Sequence, residues 1–127
     1  MAAGAICLVA AGILRATLPW SEFTVAWTHS VEKTRWEERY AISGTSLTLV
    51  EARVQAVGAG MEPAADAVLR DGWWHWTPRA DPLTELRLTY STFTQDYTIC
   101  AGRRCSSLPE LVGPSLDQGQ VVSLRPC

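Results

Sequence analysis

Phe23 to Met61 reads FTVAWTHSVEKTRWEERYAISGTSLTLVEARVQAVGAGM, and its alternation of apolar and polar side chains decides the fold class. Alternate residues of a strand point to opposite faces. Phe23, Val25, Trp27, His29 and Val31 therefore share one face, and Thr24, Ala26, Thr28, Ser30 and Glu32 share the other. With Lys33 and Thr34 as a hairpin turn, the register pairs Val31 with Trp36, His29 with Glu38, Trp27 with Tyr40 and Val25 with Ile42. A following turn at Gly44 and Thr45 pairs Tyr40 with Leu49 and Glu38 with Glu51, whereas a turn at Ser43 and Gly44 sets Glu51 beside Trp36. Both arrangements put Glu51 on the apolar face. The expectation is a β-meander whose hidden face carries His29, Glu38 and Glu51 within a frame of Trp27, Trp36 and Tyr40.

The same reading extends along the chain. Short alternating runs recur, bounded by turn signals, near Phe23 to Glu32, Trp36 to Ile42, Leu47 to Ala56, Ala67 to Leu69, Trp73 to Trp76, Glu85 to Tyr90, Asp96 to Cys100 and Val121 to Leu124. Turns fall at Ser43-Gly44, Gly58-Ala59-Gly60, Asp71-Gly72 and Ala101-Gly102, and Leu108 to Gly119 reads as loop. This pattern predicts an all-β fold, an antiparallel sandwich or partly open barrel of about eight short strands. At 127 residues, with 47% apolar content and a mean hydropathy of +0.02, the chain has the length and composition of one globular domain.

Ala2 to Leu14, AAGAICLVAAGIL, is uncharged and apolar, with Arg15 and Pro19 following. It has the length of a secretory h-region, and as a helix it would reach only about 20 Å, short of a bilayer core of about 30 Å. Residues 1–19 are accordingly expected to form an apolar helix, signal-like or anchoring, ahead of a single β domain at 20–127. Cys7 would then be a buried thiol of that segment. Cys100 and Cys105 flank AGRR at a spacing that suits a hairpin disulfide, which agrees with an exported protein in an oxidising compartment. Cys127 is left open: it pairs with Cys100 or Cys105, stays free, or bonds to a partner, and the three connectivities that four cysteines allow are not separated by the sequence. The location expected is periplasmic or otherwise extracytoplasmic, with inner-membrane attachment through the N-terminus as an open alternative.

Net charge is −2, and ten arginines and one lysine face thirteen acids, so no basic face for nucleic acid is expected. The His29, Glu38 and Glu51 row has three readings, because a buried carboxylate loses several kcal/mol of solvation unless partnered. One is a hydrogen-bonded core pair of His29 and Glu38. The second is a pocket for a small polar or charged ligand, framed by Trp27, Trp36, Tyr40 and Met61. The third is a metal site, or a metal-dependent enzyme, using His29, Glu38 and Glu51. Hydrolysis by Ser30 with His29 is disfavoured, since neighbouring strand residues point to opposite faces and Ser30 would instead meet Glu37. Gly58 and Gly60 read as structural glycines of a turn with Met61 plugging the core, and not as a phosphate loop. In Trp73-Trp74-His75-Trp76, His75 shares a face with Trp73, and both faces are aromatic. No cofactor is expected, and binding is favoured over catalysis.

Four segments, THSVE at Thr28 to Glu32, WEE at Trp36 to Glu38, GAGME at Gly58 to Glu62 and DGWW at Asp71 to Trp74, together resemble a bacterial family catalogued as domain-of-unknown-function family 1850. The resemblance implies a small exported or membrane-anchored protein encoded beside TAXI-type TRAP transporters. It thereby implies an accessory role in solute uptake, with the transporter's membrane subunits as partners. No activity and no catalytic residues come with it.

Overall fold

The computed structural model describes residues 4–28, 33–55, 64–92, 97–113 and 115–127. Among the described residues eleven strands and one short helix follow in the order β1 (Ile6–Ala10), β2 (Ile13–Leu18), β3 (Glu22–Thr28), β4 (Arg35–Ser43), β5 (Ser46–Gln55), β6 (Val68–Arg70), β7 (Trp73–Trp76), β8 (Leu86–Thr89), β9 (Thr98–Ala101), β10 (Arg104–Ser107), α1 (Leu108–Val112) and β11 (Val121–Pro126). They form two antiparallel sheets, one of four strands ordered β2-β1-β11-β8 and one of seven ordered β10-β9-β3-β4-β5-β7-β6, and neither closes into a barrel. The sheets share one core. Ile6, Leu8, Ala10, Leu88, Val122 and Leu124 come from the smaller sheet, Phe23, Val25, Tyr40, Leu47 and Ile99 from the larger, and Leu108 and Val112 from α1. The eight strands expected from Phe23 onward correspond to β3 to β9 and β11.

The N-terminal stretch corrects the expectation of a helix. Ile6, Leu8 and Ala10 are at most 1% exposed, and β1 lies between β2 and β11. Its alternation was hidden because Cys7 and Val9, on the other face, are apolar as well. The reversal into β2 was readable: Ala11 and Gly12 both take positive φ, 54° and 73°, as a two-residue hairpin turn requires. Residues 6–18 thus belong to the domain, and no break in structure marks the expected boundary at 19/20. Among the described residues no helix is long and apolar enough to cross a membrane.

The cysteines follow from this. Cys100 and Cys105 are directly opposed on β9 and β10 and form the expected hairpin disulfide. Cys127 bonds instead to Cys7, closing a separation of 120 residues, because β1 and β11 run side by side with Cys7 opposite Arg125. The expectation of a free, buried Cys7 thiol is thereby replaced, and the connectivity left open for Cys127 is the one that pairs it with Cys7.

The other unexpected elements are β10 and α1, the latter lying in the expected loop. Its signal was present as Ser107-x-x-Glu110 with Pro109 in the first turn: the Ser107 hydroxyl accepts from the Glu110 N–H, and the Glu110 carboxylate accepts from the Ser107 N–H. Leu108 and Val112 are the buried face of this single turn. Ser107→Ala is expected to cost about 1 kcal/mol, read as a lower denaturant midpoint with an unchanged slope.

Candidate functional site

The site is built on the core-facing side of β3 and β4. Trp27 lies opposite Trp36, Val25 opposite Glu38 and Phe23 opposite Tyr40, and the last pair described is Thr28 with Arg35. The expected register is corrected by four residues, since the chain does not reverse in a two-residue turn at Lys33 and Thr34. Glu38 therefore faces Val25 across the ladder, and His29, like Gly58, Gly60 and Met61, lies outside the described residues. The displacement is an even number of residues, so the face assignments hold: Glu38 points to the same side as Phe23, Val25 and Trp27.

Glu51 does not. The pairing of Tyr40 with Leu49 is as expected, but a bulge between Arg39 and Tyr40 then leaves Val50 as the extra residue and sets Arg39 opposite Glu51 and Glu38 opposite Ala52. Glu51 is thereby turned to the outer face of the sheet. The hydrophobic spacing carried the signal: Leu47 and Leu49 belong to one parity, whereas the buried Ala52 and Val54 belong to the other. Of the set of His29, Glu38 and Glu51 expected for a metal, Glu38 and Glu51 lie on opposite faces of the sheet, and His29 lies outside the described residues. Among the described residues no group of three or more His, Cys, Asp or Glu side chains is placed to hold a metal ion.

Around Glu38 the aromatic frame is denser than the sequence indicated. The rings of Trp27 and Trp36 are nearly parallel with centroids 6.4 Å apart, Trp76 meets Trp36 edge-on at 6.2 Å, and Tyr97 meets Trp27 at 6.1 Å. Tyr40 stacks on Phe23 at 5.6 Å. Trp76 and Tyr97 were missed as members. Trp76 enters because it lies opposite Ala52, which itself lies opposite Glu38 in the same cross-strand row, and its shared parity with Trp74 was the available clue. The Trp36 Nε1 is buried and, among the described residues, has no hydrogen-bond partner.

Glu38 itself is partly buried and accepts a hydrogen bond of 2.9 Å from the Tyr40 hydroxyl. Tyr40 is 4% exposed, and burial, reinforced by the neighbouring Glu38 carboxylate, raises its phenol pKa well above the ordinary value of 10.0. Between the two values the folded chain keeps a proton that the unfolded chain has lost, so rising pH favours unfolding there. The contribution is complete below about pH 10 and is lost as the pH climbs toward the raised value. The melting temperature should fall more steeply with alkali in the native chain than in Tyr40→Phe. Phenolate absorbance should show Tyr40 protonated beyond the ordinary phenol range for as long as the fold persists.

The outer face carries a different chemistry, a ladder of matched charges. Glu37 accepts from Arg53 at 2.7 and 2.8 Å and from Arg35 at 3.4 Å, while the Arg53 guanidinium lies 3.9 Å from the centre of the Trp73 ring. Glu22 faces Arg39 at 3.6 Å. Glu51 is 3.7 Å from the His75 Nδ1 and 3.9 Å from Arg70, beside a cleft of about 430 Å³ that also takes in Asp66 and Thr77. His75 does share this face with Trp73, as the sequence indicated, and Trp74 and Trp76 take the other. Ala26, beneath this ladder and opposite Glu37, is 1% exposed. The long side chains thus seal the sheet on that side.

No curated protein and no solved structure matched the chain in comparison. A family model described as "Domain of unknown function (DUF1850)" matches residues 23–108, well over half of the sequence and the whole of the inner frame from Trp27 to Tyr97. The likeness carried by THSVE, WEE, GAGME and DGWW is thereby established, and the chain belongs to the DUF1850 family.

Proposed function

We propose that this chain is a periplasmic binding domain, without catalytic activity of its own, that serves as an accessory to a TRAP-type solute transporter and uses the inner frame around Glu38 as its site. The carrying observation is Glu38 itself: a partly buried carboxylate among Trp27, Trp36, Tyr40 and Trp76, held, among the described residues, by one neutral donor. A side chain of that kind is costly to keep in a core, and small-molecule sites set a few such polar groups among aromatic side chains. Two disulfides fit an oxidising compartment. The transporter part of the reading draws on the resemblance to small proteins encoded beside TAXI-type TRAP transporters.

Its test is recovery of the transporter's membrane subunits with the tagged chain from membranes solubilised in mild detergent. The reading expects those subunits in stoichiometric amount. Their absence, while the chain itself is recovered folded, would overturn the accessory role.

A further inference from the structure

Four glutamates of the large sheet can be compared directly. On the outer face Glu22 has Arg39, Glu37 has Arg53 and Arg35, and Glu51 has Arg70 and His75. On the inner face Glu38 has a tyrosine hydroxyl and, among the described residues, no cation. Its cross-strand neighbours Val25 and Ala52 supply no donor. A carboxylate drawn away from water needs positive charge nearby, and a neutral phenol meets only part of that need.

The surroundings point the same way. Trp27, Trp36, Trp76 and Tyr97 present rings whose π faces are negative and attract cations, tryptophan most strongly. An anion placed here would meet both a carboxylate and these faces, whereas a neutral solute would leave the charge unanswered. We propose that the frame binds a small organic cation with an alkylammonium head, its charge against Glu38 and its alkyl groups against Trp27, Trp36 and Trp76. The buried Trp36 N–H is a donor for a carbonyl or hydroxyl oxygen carried next to that head. This inference rests on the inner frame being the binding site, but it does not depend on the transporter association.

The experiment is a calorimetric titration of the full chain at about pH 8, above the ordinary histidine range, with tetramethylammonium or n-butylammonium. Tert-butanol, n-butanol and valerate serve as neutral and anionic counterparts. Saturable binding of the ammonium probes is expected, at least about tenfold tighter than that of the alcohols, with none by valerate. Glu38→Gln should lower the ammonium affinity about tenfold or more, while Glu22→Gln on the outer face leaves it unchanged. Should Glu38→Gln fold poorly, Trp76→Leu offers a second variant that keeps the carboxylate and removes a wall, and it too should weaken binding. Equal binding of alcohols and ammonium ions would overturn the charge class while leaving the frame as a binding site. No saturable binding by any probe, or ammonium binding indifferent to both variants, would overturn the inference outright. Neither result bears on recovery of the transporter subunits.

Discussion

Replacing Cys7 and Cys127 together by serine is expected to lower stability by about 5 kcal/mol, and replacing Cys100 and Cys105 by about 2. The difference comes from loop length. The first bridge closes a separation of 120 residues and the second a separation of 5, and a crosslink removes more freedom from the unfolded chain the longer the loop it closes. For a domain of this size the larger loss corresponds to a fall of about 15 to 20 °C in melting temperature. Differential scanning calorimetry of the two double variants measures both. Equal losses, or a larger loss at the hairpin, would show that the long bridge does not join the first and last strands as described.

The second large effect concerns those strands themselves. A chain beginning at Trp20, with Cys127→Ser to avoid a stray thiol, is expected not to fold. It lacks Ile6 and Leu8, both fully buried, each contributing about 1.5 to 3 kcal/mol by removal from water. It also strips the paired edge from β11, whose Val122 and Leu124 are fully buried against β1. With the loss of the long disulfide, the total reaches the range of about 5 to 15 kcal/mol that holds a typical domain together. Far-UV circular dichroism and amide dispersion in an NMR spectrum would show the collapse, with the Cys7→Ser, Cys127→Ser full-length chain as reference. A cooperative melt in the shortened chain would mean that residues 1–19 are dispensable to the fold.

What could be read from the residues follows from where period-2 alternation is visible. In β3 and β4 apolar and polar residues largely alternate, so their faces were legible, and in β7, aromatic on both faces, position parity alone separated His75 and Trp73 from Trp74 and Trp76. In β1 both faces are apolar, so alternation vanishes and length with hydrophobicity imitates a signal helix. Register was less accessible than face. The β3 to β4 connection is longer than two residues, and nothing in Lys33-Thr34 distinguishes a tight turn from the end of a longer one; Lys33 in fact takes a positive φ of 54°. Glu51 was misplaced for a different reason. A single bulge at Val50 reverses every later residue of the strand, and the alternation had to be followed past Leu49 to Ala52 and Val54 to see it. Of the expected frame, Glu38, Trp27, Trp36 and Tyr40 are brought together, and Trp76 and Tyr97 join them across a distance in sequence that no local pattern spans.

Glu38 points into the aromatic frame, while Glu51 points out to His75. A nuclear Overhauser spectrum of the labelled chain reads this directly. Cross-peaks are predicted between the Glu38 γ-methylene and the ring protons of Tyr40, and between the Glu51 γ-methylene and the ring of His75. Cross-peaks from Glu38 to His75 or Arg53, or a Glu38 methylene with no aromatic neighbour, would contradict it.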